Sequence, residues 1–334
     1  MKKITFLSIA ILFANTIICQ VPQFERDALM ALYNSTDGPN WVENTNWGSS
    51  NPVSTWHGVT VENIEGNDHV TWLNLPSNGL LGTLSPELVN LTELTFLGLF
   101  DNQLSGNLPV FISDFSKLTI LALDYNDFTG SIPGEYANLT AMESLYFSAN
   151  NLTGEVSNIF SAMPNLERLY LGENNLEGNL DLSANENVRL VYLLDNNLLK
   201  IDLRNGNNQG LERLIVTNNP ELTCIFVDDK NNVPQEWTKD ATATYVETQA
   251  ECDALGTEDI HAISFAIYPN PSKGHFIINT NSDVDSVSIY DISGKQIKTF
   301  KQQSEYDVTD LAKGLYLLKI QNNKGSQIEK FLVE

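Results

Sequence analysis

The chain has 334 residues and a formal net charge of -23, a length that predicts two or more folding units. The acidic excess lies within residues 21–262, whereas residues 263–334 contain equal numbers of acidic and basic side chains. An acidic body repels nucleic acids and anionic membrane surfaces, so phosphate-backbone partners are not expected. The change in charge predicts a domain boundary near residue 262.

Residues 1–20 have the layout of a secretory signal peptide. Lys2 and Lys3 precede an apolar run over residues 4–14, and polar residues follow it. This run is too short to span a bilayer permanently. We therefore predict export of the protein and no transmembrane span in its mature form.

Residues 70–222 contain about seven copies of one pattern. VTWLNLPSNGLLGTL, LTFLGLFDNQLSGNLP and LTILALDYNDFTGSIP start at Val70, Leu94 and Leu118, an interval of 24 residues, and less regular copies follow. Self-similarity at this period indicates stacked units, none of which buries its apolar side without a neighbour. Within a unit, Leu97 and Leu99 are predicted to face the interior from a short strand, and Gly98 faces away.

An asparagine follows the strand in every copy. Because buried amides need hydrogen-bond partners, we expect these side chains to bind backbone groups of neighbouring turns and to have a structural role. The column consists of Asn78, Asn102, Asn126, Asn150, Asn174, Asn196 and Asn219.

The consensus LxxLxLxxNxLxGxIP, clearest in LALDYNDFTGSIP, resembles the leucine-rich repeats of plant extracellular receptors. The resemblance implies an α/β solenoid that is right-handed, with a parallel sheet on its concave face and irregular or short helical segments on its convex face. Residues 21–69 contain a short amphipathic helix from Glu25 and the segment STWHGVTV, which is similar to the N-terminal cap of that class. The usual cysteine pair of the cap is replaced by Ser54 and Val61, so Trp41, Trp47 and Trp56 are expected to supply its core.

The other end of the repeats is predicted to close with a second cap over residues 223–255, which resembles that of secreted bacterial leucine-rich proteins. Removal of the signal peptide leaves two cysteines, Cys224 and Cys252, in an oxidising compartment. An even pair in that setting predicts a disulfide. A linker over residues 256–262 is expected to follow.

Residues 263–334 contain seven short runs rich in β-branched and aromatic residues, separated by turn signals such as NPSKG, SGK and AKG. This pattern predicts a small all-β, immunoglobulin-like sandwich. YPNPSKGHFII, DISGKQI and LAKGLYLLKI, in this order, resemble the type A sorting domain of the type IX secretion system. The residues that match its motifs are Pro269, Asn270, Pro271, Gly274, Gly294, Lys295, Gly314 and Tyr316.

The resemblance implies a route and partners. The translocon and sorting machinery of type IX secretion would recognise the folded segment, and the protein would be secreted or attached to the outer surface. The motif residues are expected to form turns and packing contacts.

Catalytic motifs are not found in the sequence. The four histidines lack metal-ligand spacing, and no HExxH, GxSxG or P-loop pattern occurs. Asp124, Glu173 and Asp195 favour a glycosidase only weakly, and Asp228 and Asp229 lack the spacing of a calcium loop. We therefore predict a protein that is not an enzyme and that has no catalytic residues, cofactor or metal site.

The outward strand positions are the best candidates for ligand contacts, because the core does not require apolar residues there. Three tyrosines occupy one column on successive rungs, with further aromatic and basic residues nearby. One interpretation is that tyrosines stabilise the sheet. We favour the other, that they contact a ligand. The predicted concave-face residues are Trp72, Phe96, Phe100, Tyr125, Tyr146, Tyr170, Tyr192, Arg168, Arg189 and Arg213.

The hypothesis that follows is a non-enzymatic secreted or cell-surface binding protein for an extracellular protein or glycan. A structural or adhesive coat protein is the alternative, and a glycan hydrolase is less favoured.

Overall fold

The computed structural model describes residues 20–156, 159–255, 265–280, 284–322 and 325–334. The predicted signal peptide lies outside these residues apart from Gln20, and so does the predicted linker over residues 256–262. The chain divides into two compact units after Gln249. The repeats lie in the first unit, and the C-terminal β-rich segment lies in the second.

One strand from each repeat joins a sheet that we call the concave sheet. An antiparallel hairpin of the N-terminal cap begins this sheet, and the strands of the repeats continue it in parallel. Its strands, in spatial order, are β1 (Val59–Ile64), β2 (Asn67–Asn74), β4 (Phe96–Gly98), β6 (Ile120–Ala122), β8 (Ser144–Tyr146), β10 (Arg168–Tyr170), β12 (Leu190–Tyr192) and β14 (Arg213–Ile215).

The predicted alternation of the repeat strands is confirmed. The middle residue of each three-residue strand is fully buried, as is Leu73 of β2, and the residues on either side of it belong to the opposite surface of the sheet. The buried column consists of Leu73, Leu97, Leu121, Leu145, Leu169, Val191 and Leu214.

A second, mainly parallel sheet lies after the asparagines, where the sequence predicted only irregular or short helical segments. In β5, Gln103 and Leu104 pair with the same segment of the preceding repeat, and Ser105 pairs with that of the next. The helical part of the expectation is confirmed by short 3₁₀ helices at Pro86–Asn90, Val110–Asp114, Gly134–Asn138 and Phe160–Ala162. The second sheet contains β3 (Leu81–Gly82), β5 (Gln103–Asn107), β7 (Asp127–Gly130), β9 (Asn151–Glu155), β11 (Asn175–Asp181), β13 (Asn197–Asp202), β15 (Cys224–Phe226) and β16 (Thr244–Val246).

The asparagine column holds consecutive repeats together. The Asn150 amide donates to the carbonyl of Phe147 in its own repeat at 3.1 Å and to that of Leu123 in the preceding repeat at 3.0 Å. Its Oδ1 accepts the backbone N–H of Phe128 at 3.0 Å. Asn126 and Asn174 repeat this arrangement. These bonds confirm the structural role that was predicted for the column.

The N-terminal cap packs helix α1 (Gln23–Ser35) against aromatic residues. The predicted tryptophan core is present, because Trp41, Trp47 and Trp56 are all buried. The ring centroids of Trp41 and Trp47 lie 4.9 Å apart, and those of Trp47 and Trp56 lie 5.0 Å apart. Fully buried Glu25 joins α1 to β2: its carboxylate contacts His69 Nδ1 at 2.5 Å and accepts the N–H of Val70 at 2.8 Å.

The predicted disulfide joins Cys224 of β15 to Cys252 of the short helix α2 (Gln249–Asp253). Both cysteines are buried. Trp237 donates its indole N–H to the carbonyl of Leu211 at 2.8 Å. An aromatic side chain therefore covers the last repeat, and the disulfide joins the strand that follows this repeat to helix α2.

The second unit has the small all-β fold that the sequence predicted. It forms a three-stranded sheet, β17-β18-β21, and a four-stranded antiparallel sheet, β20-β19-β22-β23, around a core that includes Phe276, Val287, Leu318 and Phe331. The strands are β17 (Phe265–Tyr268), β18 (His275–Thr280), β19 (Ser286–Tyr290), β20 (Gln296–Lys301), β21 (Tyr306–Asp307), β22 (Gly314–Asn322) and β23 (Gly325–Val333).

Candidate binding site

Two groups of stacked rings lie on the outer surface of the concave sheet. Trp72 and Phe96, on neighbouring strands, stack at a centroid distance of 3.5 Å with an interplanar angle of 4°. Tyr170 lies between Tyr146 at 4.8 Å and Tyr192 at 4.3 Å, and the second pair is nearly parallel at 13°. We call these groups the Trp–Phe pair and the tyrosine ladder.

Strand register creates both groups. Trp72 and Phe96 are paired residues of β2 and β4. Tyr146, Tyr170 and Tyr192 are paired residues of β8, β10 and β12. Parallel strands without a register shift place the same repeat position side by side, about 4.8 Å apart. Equivalent repeat positions therefore meet as ring stacks.

Gly98 gives the Phe96 ring its place. A Cβ atom at Gly98 would lie only 2.5 Å from Phe96 Cε1 and 2.6 Å from Asn74 Oδ1. A larger residue there would displace the Phe96 ring or the Asn74 side chain, so close approach, rather than a positive φ, favours glycine at this position. The present position of the Phe96 ring therefore goes with a glycine two residues further along the same strand.

A pocket of about 320 Å³, which we call the central pocket, separates the two ring groups. Phe96 lines it on one side and Tyr146 on the other. The complete lining is Phe96, Phe100, Ile120, Ala122, Asp124 and Tyr146. Three aromatic rings, two aliphatic side chains and one carboxylate therefore meet on the concave sheet.

The carboxylate of Asp124 is in an unfavourable environment. Burial raises its pKa to about 6, and the neighbouring carboxylate of Asp101 adds to the increase, while its own backbone N–H acts in the opposite direction. Desolvation favours the neutral form of an acid because the charge loses its hydration. Asp124 is therefore a charge that the pocket leaves poorly compensated.

The tyrosine ladder is also shielded from water. Burial raises the pKa of Tyr170 to about 12, with further contributions from Tyr192 and Tyr146. The middle phenol therefore stays neutral at physiological pH. Its ring supplies apolar area and its hydroxyl supplies a polar edge.

The predicted arginines do not form one row. Arg168 and Arg213 belong to the same strand column as Trp72 and Phe96. Arg168 donates to Ser144 Oγ at 3.2 Å and lies 3.6 Å from a carboxylate oxygen of Glu167. Arg189 lies one residue before β12 and pairs with Glu212 instead.

Tyr125 also lies apart from the rings that the sequence grouped with it. It follows β6 in a turn with φ of 54°, and 54% of its surface is exposed. Phe100, by contrast, lines the central pocket. The pocket therefore contains three of the predicted aromatic residues, Phe96, Phe100 and Tyr146.

Asp124 was missing from the predicted contacts, although a signal for it exists in the sequence. Its position in the other repeats is held by Pro76, Phe100, Ser148, Gly172, Leu194 and Thr217. It is thus the one acidic residue of an otherwise uncharged column. Comparison along that column, rather than a search for pairs of carboxylates, would have identified it.

The sorting-motif residues lie mainly in turns. Asn270 donates to the carbonyl of Lys330 at 2.9 Å and accepts the N–H of Leu332 at 3.0 Å, which joins the 269–271 segment to β23. Both Pro269 and Pro271 follow cis peptide bonds. Gly274 and Gly294 have positive φ, the N–H of Lys295 bonds to Asp291 Oδ1, Gly314 begins β22, and Tyr316 donates to the carbonyl of Ala312 at 2.9 Å.

Among the described residues, no group of three or more His, Cys, Asp or Glu side chains is placed to hold a metal ion. Asp228 accepts the N–H of Gly206 at 3.2 Å, and Asp229 accepts that of Asn231 at 2.9 Å. These two carboxylates therefore bind loop backbone.

Comparisons with known families identify both parts of the chain. A model described as leucine rich repeat matches residues 116–176, and a model described as secretion system C-terminal sorting domain matches residues 266–334. The search of the curated proteins found no match.

Plant receptor ectodomains are similar among the solved structures. The ectodomain of the receptor kinase SOBIR1 from Arabidopsis thaliana is 29% identical over 55% of this chain and 98% of that chain, with a TM-score of 0.47. The ectodomain of GASSHO1/SCHENGEN3 from the same plant, in complex with CASPARIAN STRIP INTEGRITY FACTOR 2, is 24% identical over 67% of this chain and 29% of that chain, with a TM-score of 0.53. The second likeness supports the fold alone.

The stacked rungs and the family matches define a leucine-rich repeat protein. In particular, the chain is a leucine-rich repeat protein with a C-terminal sorting domain of type IX secretion, which delivers proteins to the cell surface or the outside. Within the part of the chain that the structure describes, no helix is long and apolar enough to cross a membrane.

Proposed function

We propose that this secreted protein binds an extracellular polypeptide on its concave sheet. One observation carries the proposal: two ring groups, each partly accessible to solvent, flank a pocket on the same surface. Aromatic side chains that bury large areas at little entropic cost are typical anchors of protein interfaces. The parallel rungs also provide an extended surface of the kind on which repeat proteins bind partners.

Ring orientation favours a polypeptide over a glycan at the tyrosine ladder. Sugars bind aromatic rings through the ring faces. Tyr170 and Tyr192 are nearly parallel at 4.3 Å, so each covers a face of the other. The ladder consequently presents ring edges and hydroxyl groups to a ligand, and these suit the amide and apolar groups of a peptide.

Glycan binding is a second candidate, favoured by one observation at the N-terminal end. Trp72 is stacked on Phe96 on its β4 side, and with residues of β1 it lines another pocket of about 490 Å³. His57, Thr60 and Asn74 supply polar groups there. A sugar ring on the remaining face of Trp72 would have hydrogen-bonding partners within reach.

Binding by the purified full-length protein tests the proposal. The wild type and a variant with Tyr146, Tyr170 and Tyr192 all changed to Ser are applied to extracts of surface proteins and to glycan arrays. We expect the wild type to capture a saturable polypeptide ligand and the variant to lose it. A matched control changes Tyr290→Ser in the second unit, where the ring lies outside the repeats.

The alternatives give different results in the same assay. Equal capture by the wild type and the ladder variant would contradict the proposal. Glycan signals that disappear with Trp72→Ala and survive the ladder variant would support the second candidate. An adhesive coat protein shows no saturable ligand, and a hydrolase consumes its ligand.

A further inference from the structure

We propose that the central pocket binds the cationic side chain, lysine or arginine, of the polypeptide ligand. The inference rests on the proposed function, since it names the chemical group that the concave sheet recognises. The occupant is argued from charge complementarity between that group and the pocket. Three features of the pocket carry it.

The first feature is the aromatic lining. Phe96, Phe100 and Tyr146 contribute three rings to one pocket of about 320 Å³. The face of an aromatic ring is electron-rich and attracts a cation within about 6 Å of its centroid. The apolar stem of a lysine or arginine side chain fits the same environment, because it contacts Ile120 and Ala122 while its charged end meets the rings and the carboxylate.

The second feature is the carboxylate of Asp124, which shares the pocket with the rings. Across the described residues, the charge that acts most on Asp124 belongs to another acid, Asp101. Asp101 is itself engaged with the hydroxyl of Ser77 at 2.5 Å. A partly buried charge without a counter-ion costs free energy, and an incoming cation removes that cost.

The third feature is the surrounding field. The net charge of the chain is -23, and the acidic residues are concentrated in the repeats and caps. Such a surface attracts cationic segments over distances of about a Debye length. This long-range attraction acts on any cationic segment, whereas the central pocket binds a single side chain.

The pocket also couples cation binding to pH. Among the residues that the structure describes, the titratable groups that face Asp124 are Asp101, from the preceding repeat, and Tyr146, from β8. A bound cation favours the ionised carboxylate, so binding releases a proton near pH 6. Affinity for the cationic side chain should therefore fall when the pH is lowered from 8 to 5.

Three peptides test the inference with the full-length protein. Acetyl-Gly-Gly-Lys-Gly-Gly-amide, its arginine analogue and its norleucine analogue differ in one side chain, and norleucine keeps the apolar stem without the charge. Nuclear magnetic resonance titration up to the order of 10 mM detects weak binding. We expect at least one cationic peptide to bind about tenfold more tightly than the norleucine peptide at pH 8, and a clearly smaller ratio at pH 5, where Asp124 is mostly neutral and mainly the rings attract the cation.

The Asp124→Asn variant identifies the group responsible. We expect it to remove most of the preference for the cationic peptides, since only the rings then attract the charge. Asp127→Asn is the matched control, because Asp127 is an exposed carboxylate on β7 of the second sheet, and it should keep the preference. Loss of the preference in Asp127→Asn as well would indicate general charge attraction and would overturn the inference.

Failure of the inference and failure of the proposed function are distinguishable. Equal titration curves for the cationic and norleucine peptides, including no binding by either, overturn the cationic pocket. If the tyrosine-ladder variant nevertheless fails to capture the polypeptide that the wild type captures, the proposed function stands without the cationic pocket. If that variant captures the polypeptide as the wild type does, the proposed function fails as well.

Discussion

The asparagine column inside the repeats and Asp124 on the concave sheet both hold polar groups away from water, but the fold treats them differently. Asn150 has hydrogen-bond partners in its own repeat and in the preceding one. Asp124 has apolar walls and a second carboxylate nearby. The repeat period alone therefore does not identify a functional residue: polar groups with hydrogen-bond partners hold the repeats together, and a polar group without such partners is available to a ligand.

The largest expected effect concerns the asparagine column, whose side chains have hydrogen-bond partners. Asn150→Ala removes the amide and leaves carbonyls and an N–H without it, which should lower the free energy of unfolding by about 3 kcal/mol. Asn151→Ala, at the exposed neighbouring position, should change it by less than about 0.5 kcal/mol. Urea denaturation measures both values. Similar values for the two variants would show that the column does not hold the repeats together.

A buried carboxylate with partners gives the second prediction. Glu25→Gln keeps the shape of the side chain but weakens its bonds to His69 and Val70, and we expect a loss of about 2 kcal/mol. Glu62→Gln, an exposed change in β1, serves as the control and should be close to neutral. Thermal denaturation at one fixed pH gives the comparison. A neutral Glu25→Gln would mean that burial without compensation is tolerated here too.

The interior of the repeats could be predicted from the sequence, because each repeat places the same residue types at equivalent positions. The buried leucines, the asparagine column and the strand register all follow from equivalent positions meeting on neighbouring rungs. The second sheet was missed because its strands follow the asparagines in segments such as Gln103–Asn107, where short alternation and a glycine look like an irregular turn. Pairing with the adjacent repeat makes these segments strands, and a single repeat does not contain that information.

The candidate site was readable only in part. Phe96 and Tyr146 are strand positions and both line the central pocket, while their predicted role as ligand contacts stays a prediction. Arg189 and Tyr125 lie outside strands, where the direction of a side chain depends on turn conformation. The environment of Asp124 could not be predicted from the sequence, because the side chains that desolvate it come from several repeats.

Asp124 provides the third prediction. Substitution of Glu25 should lower the free energy of unfolding, whereas substitution of Asp124 should raise it. Its folded-state pKa is raised to about 6, above the ordinary value of about 4, so its contribution to stability is fully present below about pH 4 and is lost as the pH rises through about 6. Asp124→Asn should therefore stabilise the protein at pH 8. We expect about 1 kcal/mol after allowance for the partial exposure of the side chain.

Urea denaturation of the wild type and Asp124→Asn across this pH range measures the effect. The two proteins should have similar free energies of unfolding near pH 4, should diverge between about pH 4 and pH 6, and should keep a constant difference above that range. A destabilised variant at pH 8 would show that the carboxylate is compensated within the fold, and the contrast with the asparagine column would no longer hold.

The smallest expected effect on stability concerns the tyrosine ladder. Tyr192→Ser removes one stacked pair at the end of the ladder, and we expect a loss of about 0.5 kcal/mol, since Tyr192 is only partly buried and a cross-strand aromatic pair contributes roughly 0.2–1 kcal/mol. Ligand capture should fall at least tenfold in the same variant, because the surface loses an anchor ring. If instead the free energy of unfolding fell by several kcal/mol while capture was unchanged, the ladder would belong with the asparagine column as a stabilising element of the repeats.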